Sequence, residues 1–262
     1  MRQSYSELVG GMRAEGKGFH ATISQDWAQG RTTFGGLTAA LCLEAVLRET
    51  PGLPPLRSAQ IAFIGPAGGP VTVAVKTLRA GRSMTFVEAD LFAEAGLATR
   101  ALFAFGVSRD SVFDRRFAPD ATMPPPDACP VFIPEGRGPA FAAHFEQKLA
   151  KGARPITGSS EHDHFIWIRH RDPEATTIPA LLALADMPPP AVLPMFKAPA
   201  PISSVTWIVN FLDAAPQTED RWWLVESRAE NARQGFSSQD MMVWNARGEA
   251  VIAARQQVAI FA

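Results

Sequence analysis

Cysteine is almost absent: Cys42 and Cys129 are the two in 262 residues, and neither sits in a CxxC pair. That excludes a cysteine-only zinc site and a disulfide scaffold, and it suits a reducing compartment. An excess of charge of one sign is missing too, since 25 basic side chains face 26 acidic ones for a net charge of −1. Such a chain has no global field to draw it to nucleic acid. No uncharged apolar run reaches the roughly 18 residues of a membrane span. The polar, Gly-rich start lacks the apolar core of a secretory signal. The expectation is a soluble cytoplasmic protein without membrane or nucleic-acid partners. Several catalytic signatures are also lacking: no GxSxG elbow, no Walker glycine–lysine loop, no HExxH, no dinucleotide fingerprint after a strand. Serine hydrolase, NTPase, zinc protease and Rossmann readings each lose their first requirement.

What is abundant is apolar residues, at 47%, and proline, at 22 residues. The first allows a large core. The second is concentrated: Pro119, Pro124, Pro125, Pro126, Pro130, Pro134 and Pro139 lie between Arg109 and Ala140. Proline fixes φ and removes a ladder donor, so residues 109–140 read as an extended, surface-tracking connector. It separates a unit of residues 1–108 from one of residues 141–262.

The two units repeat one order of elements. In the first, a strand candidate at Gly18–Ser24 precedes a helix predicted over Phe34–Thr50, apolar nearly all round, which Pro51 and Gly52 end. Four β-rich runs follow, at Ser58–Gly65, Val71–Arg79, Met84–Ala93 and Ala98–Val107, separated by turn chemistry. In the second, a strand at His164–His170 precedes a short helix at Ile178–Ala185. Four more runs then span SVTWIVNFL, WWLVESRA, FSSQDMMVWN and AVIAARQQVAIF. A strand, a helix apolar nearly all round and an antiparallel meander are what a hotdog fold needs, a curved sheet wrapped around one buried helix. The predicted class is α+β, a tandem double hotdog in which pairing of the two sheets covers an edge that each would otherwise expose.

Three side chains stand out in the second unit. Asp186 ends an apolar helix, where the macrodipole disfavours a carboxylate, and is followed by Met187 and three prolines. Gln256 shares a strand face with Ala254 and Val258, so it is expected to point inward and to need a hydrogen-bond partner. Ser203 and Ser204 enter the strand between them. The first-unit position that matches Gln256 lies near the apolar Ala104, which predicts one site per chain. His162 and His164 have the spacing of one strand face but no third ligand beside them, and no metal is expected.

These residues carry a resemblance. Trp27, Gly35, Gly36, Ala39 and Ala40 form W-x(7)-GG-x(2)-AA; ALLALADMPPP surrounds Asp186; NARQGFSSQDMMVWNARGEAVIAARQQ closes the chain. Their order over most of the chain resembles the acyl-CoA thioesterase II-like, double-hotdog superfamily. The resemblance implies hydrolysis of acyl-CoA thioesters, as in fatty acid metabolism, by a water held by an Asp, a Ser or Thr, and a Gln. On this chain these fall on Asp186, Ser204 (with Ser203 or Thr206 if the register shifts) and Gln256. Gly35 and Gly36 would admit the thioester carbonyl, Trp27 would line the acyl tunnel, and Thr206 would border the substrate. The strand acid or histidine often seen in the family is replaced by Thr206 and Asn210. Turn arginines Arg79, Arg82 and Arg233 read first as solvated charges, with CoA phosphates as an alternative. The implied partner is the acyl-CoA substrate, with no cofactor and no metal, in a homo-oligomer (dimer or tetramer). A hotdog lyase or acyltransferase, or a non-catalytic acyl-binding module, are the competing classes.

Overall fold

The computed structural model describes residues 2–134 and 136–261. Helix α1 (Tyr5–Gly11) and strands β1 (Arg13–Glu15) and β2 (Gly18–Ile23) lead into a hairpin of β3 (Ala28–Gln29) and β4 (Thr32–Thr33). Helix α2 (Gly35–Glu49) follows, then β5 (Leu56–Phe63), β6 (Gly69–Ala80), β7 (Met84–Ala93) and β8 (Gly96–Gly106). Beyond the connector come β9 (Phe145–Lys151), β10 (Asp163–His170) and α3 (Ile178–Ala185). The chain closes with β11 (Ile202–Phe211), β12 (Trp223–Arg233), β13 (Phe236–Trp244) and β14 (Ala250–Ile260). Every predicted helix and strand lies on an observed one. Helix α1 and strands β1, β3, β4 and β9 were not anticipated, being short or polar.

Twelve strands form one antiparallel sheet in the order β1-β2-β6-β7-β8-β5-β11-β14-β13-β12-β10-β9. Outward from the β5–β11 seam, β5-β8-β7-β6-β2-β1 mirrors β11-β14-β13-β12-β10-β9. At the seam, Thr206 to Asn210 pair with Ala62 to Ser58, so neither strand is left as an open edge. The sheet wraps α2, whose Leu37, Ala39, Leu41, Leu43 and Val46 are fully buried. Helix α3 packs directly on α2, burying Leu182, Ala183 and Leu184. A helix with no polar stripe is stable only when enclosed in this way. No helix among the described residues is long and apolar enough to cross a membrane.

The crossing of the two helices depends on Gly36. A Cβ there would stand 2.6 Å from the Ala183 carbonyl oxygen and 2.9 Å from Asp186 Cβ. Backbone cannot yield as a flexible side chain can, so Gly36→Ala is expected to destabilise by about 1–3 kcal/mol in urea titrations. Gly10→Ala, with nothing within 4 Å of the new Cβ, should leave stability unchanged or slightly raised.

The connector is not a free surface tract. Val112, Phe113 and Phe117 are exposed, but from Ala118 onward the chain covers the outer face of the second half. The indole N–H groups of Trp244 and Trp167 donate to the carbonyls of Pro119 and Pro124, at 2.9 and 2.8 Å. Cys129, Trp222 and Leu224 close that cluster. Phe132 then enters the main core, its N–H bonded to the Gln147 carbonyl at 3.1 Å. Proline denies the backbone a donor but leaves its carbonyl as an acceptor, and tryptophan uses it.

Candidate active site

The start of α2 has an unmet need. Its N-cap residue, Phe34, offers no side-chain acceptor to the first-turn N–H groups. Asp186, the C-cap residue of α3, comes against this end, where the Gly36 backbone N–H favours its ionised form. The α3 macrodipole disfavours a carboxylate at this point, and the N-terminal end of α2 offsets it. A Cβ on Gly35 would lie 3.1 Å from Asp186 Oδ2, so only glycine allows this approach without displacement. From the sheet, Gln256 Nε2 donates to Asp186 Oδ1 at 2.7 Å. Gln239, opposite Gln256 on β13, donates from Nε2 to Gln256 Oε1 at 2.9 Å. The Ala191 backbone N–H in turn donates to Gln239 Oε1 at 2.8 Å. Burial pushes the Asp186 carboxyl up to about 7, against the opposing pull of the Gln256 and Gly36 hydrogen bonds. The carboxylate is thus partly ionised near neutrality, as a general base requires.

Asp186, Gln256 and Ser204 open onto one cavity of about 710 Å³. Its walls are mostly apolar, with Phe132, Ile133, Phe141, Met187 and Leu193, and stiffened by six prolines: Pro134, Pro139, Pro155, Pro188, Pro189 and Pro190. Gln29 is the first-half residue in this wall; the connector and second half supply the rest. Arg137 is exposed in the wall, while Arg154 donates to the carbonyls of Phe132 and Val131 at 3.0 and 2.6 Å. Among the described residues, no group of His, Cys, Asp and Glu is arranged to hold a metal ion.

The sequence of the family described as the acyl-CoA thioesterase N-terminal domain matches residues 23–106, and that of its C-terminal domain matches residues 119–260. The chain belongs to the acyl-CoA thioesterase family. Solved structures agree on the fold. A conserved hot dog fold protein of unknown function from Alicyclobacillus acidocaldarius is 24% identical with TM-score 0.87, over 98% of this chain and 97% of that one. An acyl-CoA thioesterase II from Mycobacterium marinum is 18% identical with TM-score 0.73, over 97% of each chain. A tesB protein from Mycobacterium avium subsp. paratuberculosis is 17% identical with TM-score 0.77, over 98% of this chain and 99% of that one. No curated protein sequence matches.

Within this thioesterase-family chain, several sequence expectations require correction. Trp27 does not line the cavity: it is fully buried, stacked on His144 with centroids 3.7 Å apart, and its indole N–H donates to the Gln3 carbonyl at 2.9 Å. Gly35 and Gly36 are not in the cavity wall; their missing side chains make room for Asp186, and the Gly36 N–H serves that carboxylate. Thr206 is exposed on the other face of β11, because a bulge between Ser204 and Thr206 breaks the alternation. The same bulge leaves Ser204 in the cavity wall and Trp207 in the core, while Ser203 is exposed. Ser204 Oγ makes no hydrogen bond among the described residues. Arg79, Arg82 and Arg233 are exposed and stand outside the cavity wall. His162 is exposed and His164 buried, its pKa lowered to about 4 by burial. On β8 the residues in the main core are Ala98, Ala101, Phe103 and Phe105, not Ala104, so the inward face of that strand is apolar.

Gln239 and Ala191 escaped the sequence reading. Gln239 alternates with Ser237, Met241 and Val243, all buried, and that parity alone marks it as an inward amide in need of a partner.

Proposed function

We propose that this chain hydrolyses acyl-CoA thioesters to free acid and CoA in a tandem double hotdog, with units of residues 1–108 and 141–262 joined by the connector. Family membership supports acyl-thioester hydrolysis in general. The mirrored strand order about the β5–β11 seam supports the tandem reading. One observation carries the reaction: a buried carboxyl pushed up to about 7 opens onto a mostly apolar cavity large enough for an acyl chain. Ionised Asp186 takes a proton from a water in the cavity as the water oxygen attacks the thioester carbonyl carbon. As the tetrahedral intermediate collapses, the C–S bond breaks and Asp186 returns the proton to the departing sulfur. Gln256 cannot take the proton. One of its N–H groups is held by Asp186, and the second is left to orient the water. Ser204, in the same wall and unpartnered, supplies a further hydrogen bond.

The CoA phosphates need a cation near the cavity, and the exposed Arg137 is placed to meet them. Arg137→Ala is expected to raise KM by about 2–5-fold with little change in kcat, since an exposed ion pair contributes about 1 kcal/mol or less. The effect should shrink as salt is added. The reading itself is tested by incubating the protein with short, medium and aromatic acyl-CoAs and measuring thiol release. Release of CoA supports hydrolysis. Hydration of an enoyl-CoA, or saturable binding without turnover, would replace it with one of the competing classes.

A further inference from the structure

Amide side chains are ambiguous, because oxygen and nitrogen occupy similar positions and either end can face a partner. At Gln256 the choice has chemical weight. An N–H facing Asp186 favours the carboxylate, whereas an oxygen facing it can be met only by a protonated acid. The order of groups behind Gln256 removes the ambiguity. The Ala191 backbone N–H can only donate, so the atom it meets on Gln239, 2.8 Å away, must be Oε1. Gln239 Nε2 then faces Gln256 at 2.9 Å, and only an oxygen can receive it. Gln256 is left to present Nε2 to Asp186, at 2.7 Å. The remaining hydrogen of Gln239 Nε2 points to Met241 Sδ at 3.6 Å, so that nitrogen is fully engaged. Gln239 itself is completely buried, out of reach of bulk water that could substitute for either partner.

We propose that Gln239 is a positioning residue: held by the Ala191 N–H, it fixes the Gln256 amide so that an N–H, never the oxygen, faces Asp186. The proline run acquires a purpose here. Pro188, Pro189 and Pro190 have no N–H, and the Met187 N–H is bonded to the Leu184 carbonyl. Ala191 therefore carries the first main-chain donor beyond Met187 that is free to serve a side chain. Asp186 and the anchor are joined by a stiff strap, closing a ring from Asp186 through the strap, Ala191, Gln239 and Gln256 back to Asp186.

Other groups do not set this orientation. The neighbouring charges on β13 and β14, Asp240 and Arg255, pair with each other at 2.8 Å on the opposite face of the sheet. The first turn of α2 carries no acidic residue and α3 carries no charged one. Arg137 and Arg154 border the cavity, and Arg154 is engaged by the Val131 and Phe132 carbonyls. The Gly36 N–H favours the carboxylate from α2 whichever way Gln256 faces.

The kinetic consequence rests on reading Asp186 as the base; the orientation itself does not. Two variants test it, each followed by the pH dependence of kcat/KM and by infrared titration of the Asp186 carboxyl against Asp186→Asn. Gln239→Met keeps similar length but removes the lock. Gln256 is then free to turn its oxygen to a protonated Asp186, stabilising the acid by one hydrogen bond. The acid limb should move alkaline by about one pH unit, a loss of about tenfold on the acid side that recovers at high pH. Gln239→Leu likewise removes both the donor and the acceptor at similar volume and should move the limb the same way; it serves if the Met variant does not fold. A purely structural role would lower Tm and activity at all pH values without moving the midpoint, and that result in both variants overturns the proposal. If the unmodified protein releases no CoA from any acyl-CoA, the hydrolase reading fails while the infrared midpoint still decides the role of Gln239. If it hydrolyses normally and neither midpoint moves, the Gln239 proposal alone fails.

Discussion

Asp186→Asn is expected to lower kcat for thioester cleavage by about 10²–10⁴-fold, the usual contribution of a positioned general base. It should also make the protein more stable at pH 8. The folded-state carboxyl stands at about 7 against an ordinary value of 3.8. Below the ordinary value both states are protonated and burial of the group carries no electrostatic penalty. As pH rises from 4 to 7 the unfolded chain ionises while the folded one does not, and stability falls. Above 7 the penalty is constant, and at 1.36 kcal/mol per pH unit it amounts to roughly 4 kcal/mol. Asparagine escapes that penalty but meets two donors, Gln256 Nε2 and the Gly36 N–H, with only one oxygen. One lost hydrogen bond takes back about 1–2 kcal/mol. The net expectation is a gain of about 2 kcal/mol at pH 8 that vanishes or reverses near pH 4, read from urea unfolding at the two values. An equal effect at both pH values would mean that the carboxyl is not displaced from its ordinary range.

Gln256→Ala is expected to reduce kcat at neutral pH by about 10²-fold or more, and to move the acid limb of the rate profile alkaline. Two effects combine. The water loses the donor that orients it, and Asp186 loses a hydrogen bond that opposes the effect of burial. Truncation also leaves the fully buried Gln239 Nε2 without its acceptor. A stability loss of about 1–3 kcal/mol should accompany it. The pH profile separates the two contributions. At high pH, where Asp186 is ionised in either protein, the remaining deficit measures the orientation of the water alone.

The elements were legible in the sequence because their patterns are local. The apolar run of α2, the short α3 and the alternation of β14 that turns Gln256 inward all follow from neighbours a few residues apart. What was not legible depends on distant neighbours. The bulge that puts Ser204 in the cavity wall and Thr206 on the far face is a matter of pairing with β14, not of residue type. Trp27 reads as a tunnel residue until His144, more than a hundred residues on, stacks against it. Gly35 and Gly36 signal that something comes close, but residue type does not say whether it is a ligand or another helix. Here it is Asp186 and the end of α3. Proline density in the connector signalled the absence of donors, while the carbonyls that receive Trp167 and Trp244 carry no pattern of their own. Gln239 had the same inward parity as Gln256, and its significance emerges only when β13 lies beside β14.

The most direct test of the central claim is CoA release from one acyl-CoA substrate by the unmodified protein and by Asp186→Asn, from about pH 5 to about pH 9. The predicted result is a rate that rises through a midpoint near 7 in the unmodified protein, and a flat rate lower by at least about 10²-fold in a folded Asp186→Asn. Undiminished CoA release by Asp186→Asn would contradict the account.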